Sequence, residues 1–215
     1  MEILKAQTRS VSECTIGTML TSLFIELPGA ELVLMRGVLA PEQADQWFAK
    51  LREQVVWRQD NLSIGGRSIP MPRLQAWYGD AEANYCYSGL MMQPLPWTQL
   101  LREIKKRVEG LSAESFNAVL LNLYRDGRDS VGWHADDEPG LGANPVIASL
   151  SLGATRVFRL QHRKNKHLNY KVELDHASLL VMRGATQHCW RHQLPKTARQ
   201  VGERINLTFR LIKSL

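Results

Sequence analysis

The sequence predicts an α+β protein, mainly β, in which an antiparallel double-sheet barrel or jelly roll carries N-terminal helices on one outer face. Two stretches in the first half of the chain have the apolar period of amphipathic helices. From residue 116 onward the pattern changes to six short runs rich in β-branched and aromatic residues. Helices at one end of the chain and strands at the other are typical of two packed sheets with helices outside them.

The first predicted helix begins at Pro41, because proline is favourable in a first helical turn, and continues to Trp57. The second runs from Pro96 to Gly110, where glycine is a natural stop. Their apolar faces consist of Ala44, Trp47, Phe48, Leu51 and Val55 in the first helix and Trp97, Leu100, Leu101, Ile104 and Val108 in the second. Both faces predict helices that pack on something larger.

The predicted strands are separated by Gly, Pro, Asn or Asp. They are FNAVLLNLY, PVIASLSLG, TRVFRLQ, LNYKVEL, ASLLVMRG and RINLTFRLI. No repeat, linker or low-complexity tract divides the chain. We therefore expect one domain over residues 1–215, with the helices in residues 1–115 and the strand-rich core in residues 116–215.

The composition narrows the class of protein. With 44% apolar and 22% charged residues the chain is typical of a folded protein, and its net charge of +6 favours a polyanion or an acidic small molecule as partner. Cys14, Cys86 and Cys189 are too far apart for a thiolate zinc site or a disulfide framework. No apolar run approaches the roughly 18 residues of a membrane span. We expect a soluble, monomeric, cytoplasmic protein that has no membrane partner, associated with the nucleoid in a bacterium or nuclear in a eukaryote.

The segment WHADDE suggests part of a metal site. Side chains two residues apart on a strand point to the same side, so His134 and Asp136 can face one point. A third ligand is available from His188 or His192, directly after the strand ASLLVMRG. Two histidines and one carboxylate form the facial triad of non-haem Fe(II) oxygenases, but the same ligands suit a hydrolytic zinc. A solvated turn that holds no metal is the alternative.

The last predicted strand indicates a second binding element. In RINLTFRLI the apolar residues alternate with polar ones, so Arg204 and Arg210 share the polar face, about 20 Å apart along the backbone. Two guanidinium groups suit a short dianion, because each binds a carboxylate bidentately. The alternative is an edge strand with two solvated arginines.

Four segments together resemble the AlkB family of Fe(II)/2-oxoglutarate dioxygenases, nucleic-acid repair demethylases on a double-stranded β-helix. They are NLYRDGRDSVGWHADDE, SLSLGATRVFRL, GATQHCWRHQLPK and RINLTFR. PRLQAWYGD and NYCYSGL are similar to the subgroup that repairs duplex DNA. The resemblance covers residues 30–213 and implies an enzyme that uses Fe(II), 2-oxoglutarate and O2 to demethylate 1-methyladenine and 3-methylcytosine in DNA, releasing formaldehyde, succinate and CO2.

The resemblance also implies roles for individual residues. The iron ligands would be His134, Asp136 and His192, the last because it directly precedes QLP. Hydrogen-bond partners of 2-oxoglutarate would be Asn122 and Tyr124. Arg204 would bind the distal carboxylate of the cosubstrate, and Arg210 would lie near the carboxylate next to the keto group.

On the substrate side the resemblance implies a nucleotide-recognition lid and hairpin within residues 1–115. Tyr87, with Tyr85 nearby, takes the position that stacks on the extruded base, which must leave the duplex to be reached. Glu138 takes the acidic position that contacts a cationic base. The two tyrosines would otherwise be one face of a half-exposed strand.

The run RLQHRKNKHLNYK is interpreted as a phosphate contact, with Arg163 and Lys164 as candidates, although charged runs are usually solvated. Duplex-repair relatives carry an aromatic finger in the stretch equivalent to SIGGRSIPMPR, where this chain has Gly65 beside Ile64. The expected partner is therefore alkylated DNA, duplex or single-stranded. Two alternatives stay open, namely the same chemistry on RNA or protein, and a non-enzymatic barrel that binds an acidic ligand or nucleic acid.

Overall fold

The structure is a computed structural model that describes residues 7–15, 18–83, 85–87 and 90–213. In chain order the strands are β1 (Gln7–Thr15), β2 (Thr18–Leu27), β3 (Ala30–Arg36), β4 (Asn61–Ile64), β5 (Arg67–Pro70), β6 (Leu74–Gly79), β7 (Tyr85–Tyr87), β8 (Leu90–Met92), β9 (Leu95–Pro96), β10 (Ala118–Tyr124), β11 (Val131–His134), β12 (Ile147–Gly153), β13 (Arg156–His162), β14 (Asn169–Leu174), β15 (Ser178–Arg183), β16 (Trp190–Leu194) and β17 (Arg204–Arg210). The helices are α1 (Pro41–Gln54), α2 (Gln99–Ser112) and the short α3 (Thr186–Cys189).

Two sheets form the body of the fold. The larger has nine strands in the order β1-β2-β3-β15-β12-β17-β10-β6-β9, and the smaller has four in the order β11-β16-β13-β14. Neighbouring strands are antiparallel apart from β6 and β9. Buried side chains of both sheets share one apolar cluster, which includes Leu34, Leu180, Phe158 and Trp190. The predicted mainly-β jelly roll is confirmed.

The observed core has two more strands than the sequence predicted. The six predicted runs correspond to β10, β12, β13, β14, β15 and β17, and the structure adds β11 and β16 in the smaller sheet. Both are short, of four and five residues. They lie beside the turn and the histidine-rich segment from which the metal site was predicted.

The sequence pattern indicated helices in the N-terminal part, but the structure also has strands there. β1, β2 and β3 extend the larger sheet beyond β15 as consecutive antiparallel neighbours. β1 is an edge strand, and its residues 7–12 are all exposed, so it lacks the alternation of a half-buried strand. For residues 1–115 the sequence predicted two helices, a lid and a hairpin, but not these three strands.

The two long helices pack on the larger sheet. α1 starts at Pro41 as predicted but ends at Gln54, and α2 begins at Gln99, where the side chain of Thr98 accepts a hydrogen bond from the Leu101 amide. Their buried residues share a cluster with strands β10, β12, β15 and β17. No helix in the described ranges is long and apolar enough to span a bilayer.

Candidate functional site

A cavity lies between the two sheets. One side is formed by β10 and β17 of the larger sheet and the other by β11, β13 and β16 of the smaller. Its charged and imidazole groups are Arg73, His134, Asp136, His192, Arg204 and Arg210. Six apolar side chains complete much of the wall, namely Leu120, Val131, Phe158, Leu174, Met182 and Leu194.

Two histidines and one aspartate meet inside this cavity. His134 is the last residue of β11 and pairs directly with His192 of β16, which brings the two ring centroids to 4.3 Å. Asp136 joins them, and one potential ligand atom from each of the three residues lies within 4.8 Å of the other two. The strand pairing therefore brings together side chains that are 58 residues apart in the sequence.

Asp136 reaches the cluster by a different route from the one predicted. β11 ends at His134, so the two residues do not share a strand face. Beyond the end of the strand the Asp136 amide donates to Oε1 of the buried Gln187 at 3.0 Å. Nη2 of Arg210 donates to Asp136 Oδ1 at 2.7 Å, in an ion pair that is almost wholly buried. The carboxylate is thus fixed at its backbone and at its side chain.

The protonation states suit a divalent cation. Burial lowers the pKa of His192 to about 3, with the nearby His134 ring acting in the same direction. Burial also lowers the pKa of His134, although Asp136 partly opposes this. Burial alone would raise the pKa of Asp136, but Arg210 and the two imidazoles outweigh it and bring that pKa to about 2. At neutral pH the cluster therefore offers two neutral imidazoles and one carboxylate.

The orientation of His134 is fixed by a backbone contact. Its Nδ1 lies 2.8 Å from the carbonyl oxygen of Gly132, and only a protonated Nδ1 can donate to a carbonyl. The Nε2 atom then keeps its lone pair for a metal ion. A backbone carbonyl that holds the other ring nitrogen is the usual support of a metal-bound histidine.

Arg204 is a buried cation in the wall of the same cavity. It pairs with Tyr124 across β17 and β10, and its guanidinium lies 5.3 Å from the centre of the Tyr124 ring. Nη2 donates to Ser151 Oγ at 2.9 Å, but the buried Nε has no hydrogen-bond partner among the described residues. Burial lowers the pKa of Arg204 to about 10, so the group stays charged at neutral pH. A buried guanidinium with a donor to spare calls for an anion.

Asn122 is held by an arginine to which the sequence analysis assigned no role. Nε of Arg73 donates to Asn122 Oδ1 at 2.7 Å, and this contact leaves the Asn122 amide group as the donor available to a ligand. Arg73 is 3% exposed and has no carboxylate within 4.0 Å in the described part of the chain. It reaches Asn122 because β6, which begins at Leu74, pairs with β10.

The last strand is central in the larger sheet. β17 lies between β12 and β10, and both Arg204 and Arg210 are 2% exposed. Arg204, Asn206, Thr208 and Arg210 line the cavity, whereas Ile205, Leu207 and Phe209 belong to the cluster beneath the helices. The alternative of an edge strand with solvated arginines is therefore wrong.

Several predicted site residues do not line the cavity. Glu138 directly precedes a single 3-10 turn, is half-buried, and does not line the cavity. Arg163 forms an ion pair with Asp137, and Lys164 is exposed in the β13–β14 loop. His188, the alternative third ligand, is exposed and its Nε2 accepts from the Asn144 amide at 3.3 Å.

Three predicted substrate contacts fall outside what the structure describes in full. The side chains of Ile64, Tyr85 and Tyr87 are not among the described ones. The backbone shows that β4 and β5 form a hairpin whose tip is Gly65 and Gly66, both with positive φ, at 58° and 76°. Such a turn favours glycine at both positions, so the tip itself carries no side chain.

Gln187 and Arg73 are the site residues that the sequence pattern missed. Gln187 lies in the short helix α3 next to His188, and Arg73 follows Pro72 at the start of β6. Each acts on a residue about 50 positions away, so only the strand pairing reveals the contact. For Arg73 the one available signal was a charged residue directly before a largely apolar strand, whereas Gln187, between Thr186 and His188, offered none.

The described side chains fit an iron and 2-oxoglutarate site. Two neutral imidazoles and a carboxylate form one set of metal ligands with no thiolate, which suits Fe(II). Beside them the cavity holds three arginines and a single carboxylate, so positive charge is in excess by two. That excess suits a dianion such as 2-oxoglutarate, and the unpartnered Nε of Arg204 offers it a hydrogen bond.

Comparison with known proteins agrees with this geometry. The family described as the 2OG-Fe(II) oxygenase superfamily matches residues 31–210. The chain is 42% identical over 192 residues to the alpha-ketoglutarate-dependent dioxygenase alkB homolog 3 of Rattus norvegicus, with 85% of this chain and 64% of that protein covered. It is 38% identical over 180 residues to the DNA oxidative demethylase ALKBH2 of Mus musculus, with 79% and 75% covered.

A solved structure supports the same fold. The chain matches the structure of OsALKBH1 with a TM-score of 0.56 at 20% identity, covering 86% of this chain and 99% of that one. The chain spans only 64% of the length of the rat relative named above. The family match over residues 31–210 includes the cavity residues from Arg73 to Arg210.

Proposed function

The chain belongs to the 2OG-Fe(II) oxygenase superfamily and to its AlkB branch, and from that premise we propose that it is an oxidative demethylase of N-alkylated DNA bases. Its lesions are 1-methyladenine and 3-methylcytosine, from which it releases formaldehyde. The observation that carries the proposal is that His134, Asp136 and His192 meet beside two buried arginines in one cavity. The names of the rat and mouse relatives, a dioxygenase and a DNA oxidative demethylase, support it.

In this proposal His134, Asp136 and His192 hold Fe(II), while Asn122, Tyr124 and Arg204 bind 2-oxoglutarate. Such a centre supplies, when bound, the insertion of one oxygen atom of O2 into a C–H bond, coupled to the conversion of 2-oxoglutarate to succinate and CO2. Arg204 binds the distal carboxylate and Arg210 faces the keto-acid end. Arg210 also keeps Asp136 ionised, through the ion pair at 2.7 Å.

The rest of the cavity controls access and solvent. The apolar wall, with Phe158 packed 5.1 Å from the His192 ring, keeps bulk water away from the reacting methyl group. No side chain is required as a general base, because the oxidation removes a hydrogen atom and not a proton. The protein therefore contributes orientation and exclusion of water.

We assign roles to the residues that contact the substrate by the same reasoning. Tyr87 and Tyr85 stack on the extruded base, and Glu138 stabilises its positive charge. Lys164 contacts a phosphate, whereas Arg163 first has to leave Asp137 before it can do so. Because the hairpin tip at Gly65 and Gly66 carries no side chain, we assign the aliphatic Ile64 beside it, which is smaller than an aromatic residue, to fill the gap left by a flipped base. Single-stranded DNA is therefore the preferred substrate.

The test is mass spectrometry of oligonucleotides that carry one 1-methyladenine or one 3-methylcytosine. We expect loss of the methyl group only when Fe(II), 2-oxoglutarate and air are all present, and faster on single strands than on duplexes. Matched RNA oligonucleotides are assayed in parallel. Intact methyl groups in every complete reaction, or turnover of RNA alone, would contradict the proposal.

A spectroscopic control separates an enzyme from a barrel that only binds ligands. Anaerobic protein with Fe(II) and 2-oxoglutarate should show the weak visible charge-transfer band of a chelated keto acid. The His134→Ala variant should lack this band, because one of its three ligands is gone. If wild-type protein shows no band, the assigned cavity is not an iron site.

The hydrogen bond from Arg73 to Asn122 leads to a separate prediction. Arg73→Gln should weaken 2-oxoglutarate binding about 10-fold, since supporting residues outside a ligand shell typically contribute 10- to 100-fold. The affinity is measured anaerobically from the visible band, so turnover is not needed. Arg58→Gln is the control, because that arginine is 57% exposed and lies outside the cavity. Equal affinities of the two variants for 2-oxoglutarate would show that Arg73 does not support the binding site.

A further inference from the structure

The outer face of the smaller sheet carries a row of polar and aromatic side chains that the proposed reaction does not use. His134, His192, Leu160 and Leu174 point into the protein, so their neighbours along each strand point outward. Gln193 pairs with Arg159, and Arg159 pairs with Lys171. Trp133 precedes His134, the partner of His192, at a point where the register of β11 against β16 shifts, and its ring lies next to Arg191 of β16. We call Trp133, Gln193, Arg159 and Lys171 the outer row.

Trp133 is presented to solvent at the edge of this row. Its side chain is 36% exposed although it is the largest apolar side chain on β11, an edge strand of the smaller sheet. The Arg191 guanidinium lies 5.1 Å from the centre of its ring, and Gln161 Oε1 accepts hydrogen bonds from Arg191 Nε at 3.1 Å and from Nη2. The indole is therefore partly exposed and lies beside a cation that Gln161 holds by hydrogen bonds.

The charge on this face is unbalanced. Arg159, Lys171 and Arg191 have no carboxylate within 4.0 Å among the residues that the structure describes. Glu173, two residues from Lys171, is the carboxylate on the same face of β14. Cations without partners next to an exposed aromatic ring suit a polyanion that also offers flat rings for stacking, which is the chemistry of an unpaired nucleic-acid strand.

We propose that the outer row binds a single-stranded segment next to the lesion, with an unpaired base on Trp133 and phosphates on Arg159 and Lys171. This inference rests on the proposed function, because it extends the path of the same substrate. His134 lines the cavity, whereas its neighbour Trp133 on the edge strand β11 lies outside it and is exposed. A strand that passes around this edge can keep one nucleotide in the cavity and its neighbours on the outer row.

The geometry of the outer row also favours a single nucleic-acid strand over a duplex. Adjacent strands are about 4.8 Å apart, so the row extends roughly 14 Å from β11 to β14, which is enough for more than one phosphate. Stacking on Trp133 requires a base whose face is free. In a duplex both faces are already stacked, so a duplex would gain only the phosphate contacts.

The experiment measures binding of an unmodified, fluorescein-labelled thymidine 15-mer by anisotropy, without iron or 2-oxoglutarate. Trp133→Ala should bind about 10-fold more weakly, in the range that base stacking on an aromatic side chain contributes, and Trp133→Phe should retain most of the affinity. For a duplex of the same length, Trp133→Ala should weaken binding less than 2-fold. For a uridine 15-mer it should weaken binding as much as for the DNA strand. Equal single-strand affinity of the alanine and wild-type proteins would overturn the proposal.

A second measurement tests the phosphate contacts. The double variant Arg159→Gln/Lys171→Gln should reduce the slope of log affinity against log salt by about 1.4, that is about 0.7 for each phosphate contact on a single strand. Lys50→Gln/Lys106→Gln is the matched control, with the same change of charge at exposed positions of α1 and α2, and its slope should not change. An equal change in both double variants would mean general charge attraction and contradict the proposal.

Failure of this inference is distinguishable from failure of the proposed function. Binding of an unmodified strand does not depend on turnover, and the visible band of the anaerobic complex reports the cavity alone. A wild-type protein that demethylates its substrate but binds strands independently of Trp133 contradicts only the outer row. A protein that binds strands through Trp133 but never removes a methyl group contradicts the demethylase.

Discussion

His192→Ala should abolish Fe(II) binding and lower demethylation by more than about 100-fold. Residues that merely support metal ligands already contribute 10- to 100-fold to affinity or activity, so loss of a ligand should have a larger effect. His192 is 4% exposed and its ring lies 4.3 Å from that of His134, so no other described imidazole can take its place without moving a strand. Bound iron is measured after desalting, and the anaerobic visible band gives the second readout.

His188→Ala is the matched control for this prediction. It makes the same substitution four residues earlier, at an exposed position whose Nε2 contacts only the Asn144 amide among the described atoms. Iron content and turnover should stay near the wild-type values. Circular dichroism checks that His192→Ala is folded, since removing the ring from beside Phe158 leaves a cavity. If His188→Ala lost iron while His192→Ala kept it, the ligand assignment would be wrong.

The faces of individual strands could be predicted from the sequence, but their neighbours could not. In β17 the alternation of polar and apolar residues separates the cavity side from the core side, because successive side chains point in opposite directions. The same pattern does not distinguish an edge strand from a central one. That β17 lies between β10 and β12 depends on contacts with residues more than 50 positions away.

The missed N-terminal strands show a different limit. β2 mixes Thr and Ser with apolar residues, so neither helical nor strand periodicity is clear in the sequence. It becomes a strand because β1 and β3 pair with it on both sides. Pairing between neighbouring strands, rather than burial of one regular face, thus determines this part of the sheet, and a single-sequence pattern is a weak guide to it.

The metal cluster was predicted for a partly incorrect reason. The sequence argument placed His134 and Asp136 on one strand face, whereas β11 ends between them. Their convergence depends on Gln187, which binds the Asp136 amide, and on Arg210, which binds its carboxylate. Both partners lie far along the chain. The residue types were therefore sufficient to suggest a metal site, but the geometry that forms it needed the fold.

Arg204→Met should have opposite effects on binding and on stability. Loss of the guanidinium should weaken 2-oxoglutarate binding about 100-fold or more, because charge-assisted hydrogen bonds to a buried carboxylate contribute roughly 1.5–3 kcal/mol each. The cofactor-free protein should nevertheless become more stable. Burial lowers the pKa of Arg204 from 12.5 to about 10, which corresponds to a cost of roughly 3 kcal/mol for holding the charge in the folded state at neutral pH. Methionine fills a similar volume without that cost.

Thermal unfolding with and without Mn(II) and 2-oxoglutarate measures both effects in one experiment. The wild-type midpoint should rise when the two ligands are added, since they bind only the folded state. Arg204→Met should start from a higher midpoint and show little further rise with 2-oxoglutarate. Arg102→Met, at an exposed position of α2, is the control and should change the free energy of unfolding by less than about 0.5 kcal/mol. An Arg204→Met protein that is less stable than wild type yet keeps the full rise would show that this arginine supports the fold and does not bind the cosubstrate.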